Sequence, residues 1–180
     1  MKLTTRELII CSIFASLTAI LSQISIPLPF TTIPLTMQLF AVSLCGFLLG
    51  PKMGAVSQLV YVLIGAIGMP VFAQMSGGVG VIVGPTGGFI LSFPIIAVII
   101  GYFSRLHKSK YIISIGMLIG LTTSYIIGTV QFSLIMKVSF IEGLTLCVLP
   151  FIVVDLLKLS LATIVGLMVS NKINMVIKVC

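Results

Sequence analysis

Asp155 and Lys158 are the side chains in this sequence most able to do chemistry. Spaced i, i+3, they share one face of a helix and set a strong acceptor beside a three-donor cation. Both fall within Leu146–Val169, a segment otherwise apolar and long enough to cross a bilayer. A charge at mid-membrane costs roughly 2.5–3.5 kcal/mol on insertion scales. Counted from the outer end of that segment, the pair is expected roughly 13–18 Å deep at the helical rise. Two readings fit: a neutralised helix–helix contact, or a polar foothold for a small ligand arriving from one side of the membrane. In low dielectric such a pair discriminates strongly, because leaving either charge unpaired is costly.

A second candidate is Gly84-Pro85-Thr86-Gly87-Gly88-Phe89, which opens a helix. Its glycines let backbone approach a ligand, and the helix N-terminal N–H groups favour an anionic group such as a carboxylate. The plain alternative is a glycine-rich turn. Thr36, Gln38, Gln74, Tyr125 and Gln131 stand near helix ends and could bond a ligand or one another. Ala15 and Ala19 form a small-xxx-small pattern that admits another helix closely, either inside the bundle or from a partner.

Several chemistries are absent. No G-x-x-x-x-G-K-[ST] stretch exists for a P-loop. The single histidine, His107, lies in a basic stretch, so no Ser-His, Cys-His or H-E-x-x-H arrangement can form on the far side. Asp155 and Glu142 are the acids of the second half, too few to support a general acid/base pair. Cys11, Cys45, Cys147 and Cys180 form no CxxC and imply neither a metal site nor a disulfide. The chain is therefore expected not to be an enzyme and to need no cofactor.

The elements that must position these residues are membrane spans. The chain has 180 residues, 59% hydrophobic and 7% charged, against about 25% charged in a soluble domain. Six apolar segments are separated by breakers: about 8–26, 35–49, 55–69, 88–103, 111–136 and 146–169. The second and third are short, and Gly50-Pro51-Lys52-Met53-Gly54 between them predicts a tight hairpin turn. Lys2 and Arg6 before the first run loosely suggest a signal peptide, but the run continues to Ile26 and a retained helix is more economical.

With the N-terminus inside, Lys2, Arg6, Lys52, Arg105, Lys108, Lys110, Lys172 and Lys178 all fall on the cytoplasmic side, against Lys137 alone outside. The net charge of +7 thus reports topology, not nucleic-acid binding. The expected fold is an all-α integral membrane bundle of six transmembrane helices with both termini cytoplasmic, one domain over residues 1–180. Of its outer loops, Pro70–Gly87 is uncharged and longer than the roughly 12–15 residues beyond which a structureless connection is uncommon. Its Val71, Phe72, Val79, Val81, Ile82 and Val83 predict a lid packed back on the helices.

Together these stretches resemble the BioY family, the biotin-specific substrate-binding (S) subunits of energy-coupling-factor transporters. The resemblance rests on Ile33-Pro34-Leu35-Thr36-Met37-Gln38, on Gly65 to Ala73, on Gly84 to Phe89 running on to Phe93-Pro94, and on Asp155-x-x-Lys158. It implies a six-helix bundle in the bacterial cell membrane with a biotin site near the outer face, capped by loops. It implies docking on a transmembrane coupling subunit through Ala15 and Ala19, with two cytoplasmic ABC ATPases supplying energy. Asp155 could accept from the ureido N–H groups of biotin and Lys158 could donate to its carbonyl. Phe72, Phe89 and Phe93 suit its apolar parts. The carboxylate could meet the 84–88 backbone with Thr86, or Lys158 instead. No Arg or Lys occurs between Lys52 and Arg105, so a family member that uses a cation there has no counterpart here. A subunit for another vitamin such as thiamine, a stand-alone facilitator and a structural scaffold are the rival readings.

Overall fold

The computed structural model describes residues 3–29, 31–106 and 109–177, with side chains to residue 170. Lys2, His107, Lys108, Lys178 and Cys180 lie outside the described residues, as does the side chain of Lys172. The chain folds as helix α1 (Thr5–Ser22), a two-stranded antiparallel ribbon of β1 (Ser25–Ile26) and β2 (Leu35–Thr36), then α2 (Gln38–Ala66). A 3-10 turn (Ala73–Met75) and the short α3 (Val79–Ile82) precede α4 (Gly87–Leu106) and α5 (Lys110–Met136). The short α6 (Phe140–Cys147) and α7 (Ile152–Ile177) complete it. Among the described residues, α1, α2, α4, α5 and α7 are long and apolar enough to cross a membrane.

Local chemistry sets the boundaries. Thr4 and Glu7 form a capping box that starts α1 before the apolar run does. Helix α2 is broken at Gly50, whose φ of 83° no ordinary side chain adopts cheaply. Pro51 follows at the first position of the second half, where its missing N–H loses no bond. The halves fold back on each other: Gln38 reaches Tyr61 at 2.7 Å, and Cys45 lies 3.9 Å from the Gly54 carbonyl. The reversal therefore takes one residue rather than the expected 50–54 turn.

The segment expected as one helix over 146–169 divides instead. Pro150 lacks an N–H and clashes with the carbonyl four residues back, so α6 stops at Cys147 and α7 starts at Ile152. The loop expected over 137–145 holds most of α6, capped by Ser139 and Glu142. Ser139 N–H and then its hydroxyl donate to Glu142, holding its carboxyl below the usual carboxylate range.

Helix α2 sits centrally, packed against α1, α4 and α7, with α5 beyond α4. Cys11, Ala15, Val42, Cys45, Tyr61, Phe93, Ile96 and Ile100 belong to one continuous core. Outward faces of α1, α5 and α7 carry exposed Ile13, Ile20, Ile126, Leu134, Leu157 and Met168, as lipid-facing surfaces do. Lys52 and Arg105 gather at the end where α1 begins, with Arg105 donating to the Leu49 carbonyl at 3.3 Å.

Candidate functional site

At the opposite end of the bundle a cavity of about 280 Å³ lies between the α1–α2 connection, the 72–86 segment, α4, α5, α6 and α7. That is near the lower end of small-molecule sites, about 300–1,000 Å³, so it suits one compact metabolite.

The charged end comes from α5 and α7. Asp155 and Lys158 are 7% and 6% exposed and pair at 2.8 Å. Tyr125 donates its hydroxyl to the other Asp155 oxygen at 2.8 Å. Because α7 begins at Ile152, Asp155 stands in its first turn, roughly 5 Å from the helix start rather than 13 Å or more. A carboxylate there is favoured by the helix dipole. Replacing a buried ion pair with apolar residues is often neutral or stabilising, so stability does not explain this one. Lys158 keeps donor capacity beyond its bond to Asp155, and the carboxylate keeps further lone pairs. The cavity therefore presents an acceptor and a cationic donor side by side, with no net charge.

The remaining walls are mainly apolar. Phe72 meets Tyr61 edge-on at 5.6 Å between ring centroids, and Tyr61 stacks near Phe93 at 6.3 Å. Phe72 lies so close over Gly65 that a methyl there would overlap its ring. Phe89 and Ile90 line the α4 side.

The structure gathers Asp155, Lys158, Tyr125, Gly84, Pro85, Thr86, Phe89, Phe93, Phe72, Gln74, Thr36 and Gln38 around this one cavity. Gly87 and Gly88 are not among its walls. They are buried where α4 crosses under Ile82 and against Gln131 and Gly128 of α5, contacts that a Cβ would block. The expectation that their backbone N–H groups face an anion is corrected accordingly. Gln131 itself donates to the carbonyls of Ile82 and Gly84, at 2.7 and 2.9 Å, and so holds the turn that presents Gly84.

Gln38 is largely committed: it accepts from Thr36 at 3.1 Å and donates to Tyr61. Tyr61 passes the bond on to the Val71 carbonyl at 3.0 Å. The expected lid does pack inward at Val71, Phe72, Val81 and Ile82, while Val79 and Val83 stay exposed.

Ala15 is 3% exposed within the core and Ala19 packs partly against it, so the small-xxx-small pattern turns inward, Ala15 fully and Ala19 in part, rather than forming an exposed face. The periodicity that turns Cys11, Ala15, Thr18 and Ser22 inward turns Ile9, Ser12, Ile13, Ser16 and Ile20 outward, around a shallow groove.

Sequence reasoning passed over Leu121, Phe151, Ile90, Ser124 and Cys147, which also line the cavity. Leu121 and Phe151 stand one turn before Tyr125 and Asp155, so helical spacing from the chosen polar residues points to them. Cys147 needed the break at Pro150 to be placed.

Comparison with known proteins extends over nearly the whole chain. A model described as the BioY family matches residues 1–175. A protein of Pyrococcus horikoshii named "Probable biotin transporter BioY" is 42% identical over 161 residues, covering 89% of this chain and 94% of the relative. A "Biotin transporter BioY" of Thermotoga maritima is 37% identical over 162 residues, covering 90% and 94%. A crystal structure of the S-component for biotin from an ECF-type ABC transporter superposes with a TM-score of 0.87. That match covers 94% of this chain and 95% of the other at 23% identity, a likeness of fold.

Proposed function

The chain belongs to the BioY family, and from that premise we propose that it captures biotin in the cavity and takes it up as the S subunit of an energy-coupling-factor transporter. It is a multi-pass membrane transport subunit and not an enzyme. ATP hydrolysis falls to separate ATPase subunits joined through a transmembrane coupling subunit.

One observation carries the reading: a cavity of about 280 Å³ with Asp155, Lys158 and Tyr125 converging at one end and phenylalanines along the rest. Biotin has this division. Its ureido ring carries N–H donors and a carbonyl acceptor, which match a carboxylate beside an ammonium. Its thioether ring and aliphatic tail match Phe72, Phe89 and Phe93. Thr36, Gln74 and Thr86 lie within the same walls and supply polar groups for the other end.

We further read the chain as six crossings with both termini cytoplasmic, counting the halves of α2 as two. The break at Gly50 supports the count, and the gathering of Lys52 and Arg105 away from the cavity supports the orientation. Coupling-subunit contacts then fall on the outward stripe of α1 around Ser12 and Ser16.

The test is equilibrium binding of labelled biotin to detergent-purified protein. Saturable one-to-one binding, competed by biotin and not by thiamine, is expected. A well-folded sample without saturable binding would remove the assignment, and competition by thiamine would move it to another vitamin.

A further inference from the structure

The cavity roof contains a local conflict. Gln74 and Met75 are consecutive residues with a side chain and left-handed φ, 59° and 55°. Such a pair persists only where surrounding bonds hold it, and strained backbone of this kind concentrates at clamps and switches. Gln74 lines the cavity, as do Phe72 and Ser76 on either side of the strained pair.

The bonds that hold this segment come largely from the last turn of α1. Gln23 caps α1 and points its amide at the roof. Its Oε1 accepts the Met75 N–H at 2.9 Å, and its Nε2 donates to the Phe72 carbonyl at 3.1 Å. The reverse orientation of the amide would set like groups against each other at both places, so both bonds require a glutamine oriented this way. Next to it, the Ser22 hydroxyl lies 2.6 Å from the Val71 carbonyl and 2.8 Å from Gln23 Nε2. The segment closes on itself through Phe72 N–H to the Ser76 carbonyl, 3.0 Å.

We propose that Gln23 is a positioning residue for the ligand cavity: its amide fastens the strained 72–76 roof to the end of α1 and so sets how long a bound ligand is retained. The strain at Gln74 and Met75 gives the roof a reason to open once the clamp is lost. The other end of the same segment is fastened separately, by Gln131 of α5 on Ile82 and Gly84. With Val71 held by Ser22 and Tyr61, and Gly78 N–H bonded to the Gly65 carbonyl at 2.7 Å, loss of Gln23 loosens the span between them, 72–76. The Val71 carbonyl before the strained pair is shared between Ser22 of α1 and Tyr61 of α2, so α2 also anchors the start of the roof.

The ligand half of this inference rests on the biotin reading, and the backbone half does not. The experiment uses full-length protein in lipid nanodiscs, wild type beside Gln23→Ala, Gln23→Glu and Gln131→Ala. It measures amide hydrogen exchange without ligand and biotin association and dissociation by stopped flow. Gln23→Ala should speed exchange at Phe72, Met75 and Ser76, leave α7 unchanged, and speed dissociation about tenfold, as expected for two lost hydrogen bonds. Gln23→Glu keeps the acceptor for Met75 but sets a carboxylate oxygen against the Phe72 carbonyl, and should loosen the roof at least as much as Gln23→Ala. Gln131→Ala should speed exchange over 82–87 instead. The proposal is overturned if Gln23→Ala exchanges like wild type over 72–76, if protection falls evenly across all helices, or if the roof loosens while dissociation stays within about twofold. If wild type fails to bind biotin, the biotin reading falls, and the exchange over 72–76 decides the clamp by itself.

Discussion

The two ends of the cavity are built on opposite plans. At the α5–α7 end, side chains face the ligand space and other side chains hold them: Asp155 between Lys158 and Tyr125, all on regular helices. At the roof, backbone closes the space, and side chains from elsewhere, Gln23, Ser22, Tyr61 and Gln131, hold that backbone by its carbonyls and N–H groups. A helix presents a side chain at fixed depth without spending polar groups on its own backbone. An irregular roof leaves buried backbone groups that must find partners, and here they find amides and hydroxyls. On the proposed function, the charged end discriminates among ligands and the roof retains them.

The largest effect that tests this division is at the charged end. Lys158→Ala leaves Asp155 buried with Tyr125 as its remaining described partner, which costs about 3–5 kcal/mol of stability for a broken buried pair. Biotin affinity should fall about 100-fold or more, measured by equilibrium binding. The double variant Asp155→Asn, Lys158→Met should regain much of the thermal stability, because no lone charge is left behind, and should not regain binding. Recovery of binding in the double variant would break the comparison, since the pair would then be structural.

A smaller effect is expected at the roof. Gly65→Ala places a methyl against the Phe72 ring, which is fully buried and wedged against Tyr61. Overpacking of this kind costs about 1–3 kcal/mol, and relief here means moving Phe72 outward with the roof. Dissociation of biotin should quicken about tenfold while the association rate holds. A fall in affinity carried by slower association would mean that the roof, like the charged end, takes part in recognition.

The two ends also differed in how readable they were. Asp155 and Lys158 announce themselves, because charges are rare in a chain with 7% charged residues and their i, i+3 spacing fixes a common face. Their position along the helix differs from the expectation because Pro150 was passed over inside an apolar run, although its missing N–H ends a helix. Gly50-Pro51 marked the reversal in α2 for the same local reasons. Nothing local marks Gln23: it falls inside the expected 8–26 run, and only the fold makes it the end of α1 and brings residues 72–75 to it. Gly84 to Gly88 read as one motif, yet tertiary packing divides it, with Gly84 at the cavity and Gly87 and Gly88 spent on helix crossing. Ala15 and Ala19 carried a spacing without a direction, and the burial of Cys11, Ala15 and Thr18 supplied it.

The smallest expected effect lies in α6, which touches the cavity at Cys147 and carries its cap at the other end, at Ser139 and Glu142. The Glu142 carboxyl is held below the usual range by the Ser139 N–H and hydroxyl. A group whose folded-state pKa is depressed adds stability that is fully present above its unfolded value and disappears as pH falls through the folded one. Amide protection at Glu142 and Gly143, corrected for the intrinsic pH dependence of exchange, should therefore decline as the medium is acidified below the ordinary carboxylate range. Glu142→Gln should remove most of that pH dependence. Biotin dissociation should stay unchanged in Glu142→Gln at neutral pH, because the cap contributes nothing to the cavity wall. Faster dissociation in that variant would mean that order at the α6 N-terminus reaches Cys147, and the cavity would then have three working parts instead of two.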